Sequence, residues 1–329
     1  MPMLPLMIVQ AGLETTAGLA VPATRLVDME PGQATLKFEQ ELITVTRAGS
    51  LATGHFAYAG GYQPTIEFKN LPVSYTDLPW FANFFTAPDE TGSGASTDKT
   101  YTNTPSDTAD VAKRGTFEVG GRDTWVTDFK ISGCAGKSFG LKWDRKGLWR
   151  MDATFVGMAL TKATKTGALT ARTVKHIVGA GTKTYVDTST LGSTIVTARL
   201  LTGEFLDEEE MTPQYTLDGT TGDAYAPGSI TLTGNRKVSC KLKILFTSAG
   251  EWDAFRAATI QKVRIKQVGP VLGTSFWSVI LDIVGVWETY DFDDEGGALT
   301  ASLSLTALYD STLGADWQLI TVNDQTTLA

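Results

Sequence analysis

The 329-residue sequence is poor in the residues that build many catalytic and metal sites. It holds only two cysteines, Cys134 and Cys240, and two histidines, His55 and His176. Two thiols without neighbouring metal ligands indicate small core residues, so neither a disulfide nor a zinc site is expected. A Ser-His-Asp or Cys-His site would need one of the two histidines, and neither lies in a recognisable nucleophile motif. The sequence therefore predicts no enzyme, no cofactor and no metal.

A long apolar run is also missing. No segment approaches the roughly 18 apolar residues that a membrane-spanning helix needs, so we expect no membrane partner. The apolar residues 1–8 have no basic segment, are broken by Pro2 and Pro5, and precede no small-residue cleavage pattern. A secretory signal is therefore not expected, and we predict intracellular maturation.

Basic residues are outnumbered, with 28 Lys and Arg against 36 Asp and Glu and a net charge of −8. Residues 1–165 hold 16 basic and 17 acidic side chains, whereas residues 166–329 hold 12 and 19. Tight nucleic-acid binding depends on Lys and Arg that neutralise phosphates, so this balance argues against it. The same balance suits a passage that carries nucleic acid without holding it.

Two motifs look like ligand loops but fail in their spacing. Residues 133–138 end like a phosphate-binding loop, yet the first glycine of that motif would have to fall at Ile131. A hairpin between strands that end near Ser132 and begin near Phe139 explains these glycines equally well. Residues 291–297 resemble a calcium loop, but Ser302 stands where the bidentate acid is required. A charged hairpin tip is favoured there.

Short alternating segments, rich in Gly and Thr, predict a mainly β protein with one short helix in each half. A sandwich or barrel follows from the number of predicted strands. These cover residues 34–38, 63–69, 114–119, 128–134 and 149–160 in the first half, and 229–232, 238–246, 262–268, 276–286 and 298–309 in the second.

The two halves follow one plan. Each has a strand, a polar cap and a short aromatic helix, with Trp80 in the first helix and Trp252 in the second. The last strands also align, so that Phe155 stands opposite Leu305. We predict an internal duplication, with a first domain at 1–165 that carries an inserted loop at 87–111, a connector at 166–193 and a second domain at 194–329. A hairpin of residues 174–178 and 184–186 is the alternative for part of the connector.

Several motifs together carry a family resemblance. They are Glu14-Thr15-Thr16-Ala17-Gly18 before Val21-Pro22-Ala23-Thr24-Arg25-Leu26, then Ala59-Gly60-Gly61-Tyr62-Gln63-Pro64-Thr65-Ile66-Glu67-Phe68, and Tyr75-Thr76-Asp77-Leu78-Pro79-Trp80-Phe81. The first half thereby resembles the major tail tube proteins of long-tailed, non-contractile bacteriophages. The second half, with Gly203-Glu204 and residues 252–258, is similar to a further copy, as in family members that carry two tube domains.

The resemblance implies two tandem β-sandwich tail-tube domains, each flanked by a short α-helix, that form a ring by inter-subunit β-sheet. The rings would stack into a hollow tail tube, a conduit for DNA ejection into the host. Self-association as a homotrimer with pseudo-sixfold symmetry, or as a homohexamer, follows from it. The other implied partners are tape measure and tail terminator proteins, with DNA passing transiently. The implied location is the virion tail, assembled in the host cytoplasm.

The resemblance also implies site residues. The last long strands of each half would line the lumen, with candidates Arg150, Asp152, Thr154, Thr300, Ser302 and Ser304. Arg150 would attract phosphate unless Asp152 pairs with it. The glycine-punctuated excursion at 47–61 is the candidate contact between stacked rings or adjacent subunits, through Arg47, His55, Phe56 and Tyr58.

Two alternatives stay open. Five tryptophans at strand ends or turns suit a sugar platform as well as a subunit interface: Trp125, Trp143, Trp277, Trp287 and Trp317. They favour, as the alternative function, a tandem β-domain carbohydrate-binding or adhesion module. A hydrolase with paired carboxylates is the third interpretation, because the separation of acids in space is invisible in sequence.

Overall fold

The computed structural model describes all residues except 1–6, 47, 49–53, 55, 88, 90, 96, 111, 122–126, 168, 197–198, 217–224 and 329. The described chain is mainly β, as the sequence predicts. Its first-half strands are β1 (Met7–Leu13), β2 (Arg25–Leu26), β3 (Ala34–Val45), β4 (Phe56–Pro72), β5 (Lys99–Asn103), β6 (Gly115–Gly121), β7 (Phe129–Asp144), β8 (Arg150–Val156) and β9 (Ala159–Lys162).

The remaining strands are β10 (Lys183–Asp187), β11 (Leu200–Glu208), β12 (Met211–Gln214), β13 (Ser229–Leu232), β14 (Lys237–Leu245), β15 (Gln261–Leu272), β16 (Ser275–Glu295), β17 (Ala298–Ala307) and β18 (Trp317–Asn323). The two helices are α1 (Leu78–Ala82), which follows β4, and α2 (Gly250–Arg256), which follows β14. They carry Trp80 and Trp252, as expected from the aromatic segments.

Sixteen strands form one branched antiparallel sheet, and β12 pairs with β13 in a small second sheet. Within the large sheet, an eight-stranded run has the order β3-β4-β8-β7-β11-β14-β17-β16; we call it the central sheet. Its β7–β11 pair joins a strand of the first half to a strand of the second, and we call this pair the internal joint. The central sheet is therefore continuous between the halves.

The second half repeats the strand pairings of the first in the same order. β7 pairs with β6 through its first residues and with β8 through its last, and β16 does the same with β15 and β17. Both long strands also carry a bulge, at Lys137 in β7 and at Glu288 in β16, opposite equivalent positions of β8 and β17. The bulges fix the correspondence of the two strands residue by residue.

Some local predictions are wrong, for identifiable reasons. The predicted hairpin near 132–139 does not form, because β7 runs unbroken from Phe129 to Asp144. Gly133 lets this strand turn, since its φ of 65° suits glycine. The polar caps also fail, because the carboxylate of Asp77 binds Arg25 at 3.1 Å instead of capping α1. Helix α2 likewise begins after Ala249 without a side-chain cap.

Two predicted loops contain strands. The predicted connector at 166–193 includes β10, which pairs with β15, and the predicted inserted loop at 87–111 includes β5, which pairs with β18. Neither strand has strong alternation of its own, so its pairing depends on a partner distant in sequence. The β5–β18 pair also ties the first half to the end of the second.

One apolar core extends through both halves. Around α1, Trp80 and Phe84 pack edge to face at 5.1 Å, and Phe84 meets Phe155 at 4.8 Å. At the internal joint, Trp317 contacts Phe205 at 5.1 Å between ring centres. The aromatic core therefore supports the central sheet from one side and leaves its other side open.

Gly285 provides a test of packing in the bent part of β16. A methyl group at this position would lie 2.1 Å from the Thr306 carbonyl oxygen and 2.9 Å from the Ala307 Cα. Since that obstacle is backbone, we expect Gly285→Ala to lower the free energy of unfolding by about 2 kcal/mol or more, measured by urea denaturation. Gly167→Ala is the control, because nothing lies within 4 Å of its added Cβ. Equal stabilities of the two variants would contradict this packing.

Candidate functional site

The central sheet has one apolar face and one polar face. Along β8, Met151, Ala153 and Phe155 are buried in the core, whereas the residues between them point the other way. The same alternation continues in β17, where Leu303 and Leu305 are buried. The polar face therefore extends through both halves, because the internal joint keeps the alternation in register.

Five of the six lumen candidates lie half-buried on this polar face: Arg150, Asp152, Thr154, Ser302 and Ser304. Thr300 is the sixth, and it is buried, with its hydroxyl donating to the Asp293 carbonyl oxygen at 3.1 Å. Arg150, Ser302 and Ser304 line one open groove of about 680 Å³ together with residues of β7, β11 and β14. The fold thus brings candidates from the two halves into a single concave surface.

Lys142 crosses the internal joint on the polar face. Its Nζ lies 2.7 Å from Asp152 on β8 and 3.5 Å from Glu204 on β11. The hydrogen bond to Asp152 raises the pKa of Lys142. Burial acts to raise the pKa of Asp152, but hydrogen bonds from Lys142 and from the Asn70 amide outweigh it and hold that pKa below its usual range. Lys142 and Asp152 are therefore both charged near neutral pH.

Two other cations of the polar face are also paired. Lys243 on β14 lies 2.8 Å from Glu295 and 3.0 Å from Asp293, both on β16. A hydrogen bond from Lys243 lowers the pKa of Asp293. Arg150 donates to Glu30 at 3.2 Å and to the Asn70 carbonyl oxygen at 3.1 Å.

These pairs change the expected role of Asp152. The sequence suggests Asp152 as a partner for Arg150, but Asp152 instead binds Lys142, and Glu30 pairs with Arg150. The sequence pattern does not predict three further members of the site: Lys142, Glu204 and Lys243. Each is a charged residue between two buried neighbours of its strand, but the order of the strands in the sheet cannot be read from the sequence.

A two-stranded arm extends from β3 and β4 beyond the central sheet; it consists of residues 42–45 and 56–59, which pair with each other. Its apolar side chains are exposed: Leu42 by 63%, Ile43 by 52% and Tyr58 by 58%. Phe56 is exposed by 47%. Of the four predicted contact residues, Phe56 and Tyr58 therefore lie on the arm, whereas Arg47 and His55 are outside the described residues.

The counterpart of the arm in the second half is the β12–β13 hairpin, which has a binding surface within the chain. Met211 and Ile230 of this hairpin pack against Ala135, Val156 and Met158 of the first half. Its neighbour Tyr215 donates a hydrogen bond from its hydroxyl to the Tyr62 carbonyl oxygen at 3.1 Å. The apolar residues of the β12–β13 hairpin are thus covered by the first half, while those of the equivalent arm are exposed.

The tryptophans do not form a sugar platform in the described chain. Trp143, Trp277, Trp287 and Trp317 are between 0% and 6% exposed, so none offers a ring face to a ligand. Trp125 is outside the described residues. The two motifs that look like ligand loops belong to strands and a turn. Residues 133–138 lie inside β7, and residues 291–297 form the end of β16 and the turn into β17.

Within the part of the chain that the structure describes, no three His, Cys, Asp or Glu side chains come together as a metal site. In the same part, neither helix has the length and apolar character to cross a membrane.

A scan against models of known protein families and a search of curated proteins both returned no match.

Proposed function

We propose that the chain is a tail-tube subunit that assembles into stacked rings around a channel for DNA. The observation that carries the proposal is the central sheet, which continues from one half to the other through a backbone-paired joint. Its two halves would act as tandem tube domains, and further copies of the chain would continue the sheet. Such an assembly is a structural part of a virion tail and has no catalytic role.

Two open edges support assembly. Within the described residues, β3 pairs only with β4, and residues 289–295 of β16 pair only with β17. An open edge presents unpaired backbone N–H and C=O groups, which favour the addition of another strand. Because the two open edges are at opposite ends of the central sheet, identical chains can add head to tail and close into a ring.

The polar face supports a channel lining. Three of its cations, Lys142, Lys243 and Arg150, are engaged by carboxylates, so each of these three has a partner within the chain that competes with phosphate. Lys241 lines the same groove and has no ion pair among the described residues. A ring of three chains would contain 24 strands of the central sheet. At about 4.8 Å per strand their circumference is roughly 115 Å and the backbone diameter about 37 Å, before strand tilt widens it.

The arm supports stacking or lateral contact between subunits. Exposed apolar residues on a protruding β-ribbon are typical of a surface that is covered in an assembly. Phe56 and Tyr58 are the proposed contact residues of the arm. Tape measure and terminator proteins, the other partners that the resemblance implies, would bind inside and at the end of the tube.

Negative-stain electron microscopy of the purified chain tests this function. We expect rings or hollow tubes about 100 Å across, since one domain of about 150 residues measures a few tens of ångströms. Light scattering over a range of protein concentrations should show growth of large particles. A chain that stays monomeric at every concentration would contradict the proposal.

A further inference from the structure

We infer that the open edge of β16 pairs with the open edge of β3 from a second copy of the chain, in one register that places Asp291 opposite Lys37. This inference rests on the proposed function, and it adds the residues that meet and their alignment. The register is taken from the internal joint, since that joint would be the same strand-to-strand contact formed within one chain.

In the open edge, the counterpart of the end of β7 is the end of β16. In β7, the bulge lies between Gly136, which pairs with Phe155, and Ser138, which pairs with Thr154. In β16, the bulge lies between Trp287, which pairs with Leu305, and Thr289, which pairs with Ser304. Residues 138–144 of β7 therefore correspond to residues 289–295 of β16. The former segment pairs with β11, and the latter has no such partner among the described residues.

The counterpart of β11 at the other open edge is β3. In the second half, Cys240 of β14 pairs with Phe205 on one side and with Leu305 on the other. In the first half, Ile66 of β4 pairs in the same way with Leu36 and with Phe155. Since Leu305 and Phe155 are equivalent, Leu36 of β3 corresponds to Phe205 of β11. Residues 33–39 then correspond to residues 202–208, the segment that forms the internal joint.

The register of the internal joint can now be applied to β16 and β3 of two chains. In the internal joint, Phe139 stands opposite Asp207, Gly140 opposite Leu206 and Leu141 opposite Phe205. The same alignment between two chains places Tyr290 opposite Phe38, Asp291 opposite Lys37, and Phe292 opposite Leu36.

The side chains in these pairs are complementary, although the register follows from backbone pairing alone. An acid meets a base on the polar face, while aromatic and aliphatic residues meet on the core face. A shift of the register by two residues in one direction would place Asp291 opposite Glu39, so that two acids would meet. A shift by one residue would place each apolar side chain of the core face opposite a residue of the polar face.

Burial supports the same contact. Leu141 is fully buried at the internal joint, whereas its counterpart Phe292 is 52% exposed at the open edge. Asp207 is likewise fully buried, and its counterpart Phe38 is 47% exposed. Positions that the internal joint covers are thus apolar and uncovered at the two ends of the central sheet, as a second copy would require.

A cysteine pair tests the register. Leu36→Cys with Phe292→Cys should give, on oxidation of assembled protein, a covalent ladder of dimers and larger species on a non-reducing gel. The two sites are seven strand spacings apart in one chain, about 34 Å, so a link within the chain is excluded. Cys134 and Cys240 are fully buried and do not compete. Leu36→Cys with Asp294→Cys, displaced by two residues, is the matched control and should link at least tenfold less.

A charge exchange gives a second measurement. Asp291→Lys should reduce tube formation at least tenfold. Adding Lys37→Asp with Glu67→Gln, which removes the carboxylate that binds Lys37 within the chain, should restore most of it. If the wild-type chain forms tubes but the displaced pair links as well as the aligned pair, or the exchange restores nothing, the register is wrong while the proposed function stands. If the wild-type chain forms no rings or tubes, both the proposed function and this joint are overturned.

Discussion

Arg236→Met is expected to lower the free energy of unfolding by about 3–5 kcal/mol at pH 8, because it leaves buried carboxylates without their cation. The Arg236 Nε lies 3.2 Å from Glu209 and 3.7 Å from Asp207, and Nη1 lies 3.6 Å from Asp316. Asp207 also accepts a hydrogen bond from the Trp317 indole at 3.0 Å, which places this network under the internal joint.

The loss should depend on pH in a definite direction. Burial raises the pKa of Glu209 to about 7 and holds the pKa of Asp207 well above its usual range, although Arg236 opposes both shifts. A raised carboxyl pKa means that the folded state gains protons more readily than the unfolded state, so ionisation costs stability as pH rises through 7. Without Arg236 that cost grows, and we expect the variant to lose less at pH 5 than at pH 8.

Urea denaturation of the wild-type and variant chains at the two pH values measures both effects. Arg145→Met is the control, because Arg145 is exposed and its loss should change the stability by no more than about 0.5 kcal/mol. A loss for Arg236→Met that is as small as the control, or that is larger at pH 5, would contradict the proposed energetics of the network.

Removing the apolar side chains of the arm should abolish tube formation and leave a folded monomer. The triple variant Leu42→Ser, Ile43→Thr and Tyr58→Thr removes exposed side chains that contribute nothing to the core. The covered β12–β13 hairpin shows what such a hairpin packs against. At the equivalent positions of a neighbouring chain, the arm would meet Val286, Thr306 and Leu308, of which Leu308 is 41% exposed.

Sedimentation and electron microscopy would follow assembly, and circular dichroism would check that the variant is folded. The matched control is Val178→Thr with Val271→Thr, since these residues are 48% and 67% exposed and their strand partners, Leu148 and Phe276, belong neither to the arm nor to the surface proposed to receive it. Tubes from the arm variant at the wild-type concentration would remove the arm from the assembly contacts. Loss of tubes in the control as well would show that the effect is not specific to the arm.

Local patterns predicted much of the fold. The alternation in residues 298–309 and the aromatic segment around Trp80 each identified the correct type of element, because period and composition are properties of a short window. The internal joint could not be predicted in this way. It pairs residues 58 to 70 positions apart, and its register follows from the packing of Phe139, Phe205 and Trp317, which no short window contains.

The candidate site was predicted in the same partial way. The period of β8 and β17 placed five of six candidates on the polar face, whereas Thr300 is buried near the end of its strand. The partners of Arg150 and Asp152 depend on which strands are neighbours, so sequence spacing alone suggested the wrong pair. The burial of four tryptophans was missed because positions at predicted strand ends lie inside longer observed strands or pack beneath them.

In the proposed ring, the internal joint would have a kinetic consequence for assembly. Two sheet segments that are linked by one chain meet at an effective concentration of about millimolar, independent of how dilute the protein is. In a ring of three such chains, half of the six joints are therefore already made before any two subunits collide. Ring closure then needs three subunits to meet instead of six, and the rate of nucleation should rise with roughly the third power of protein concentration.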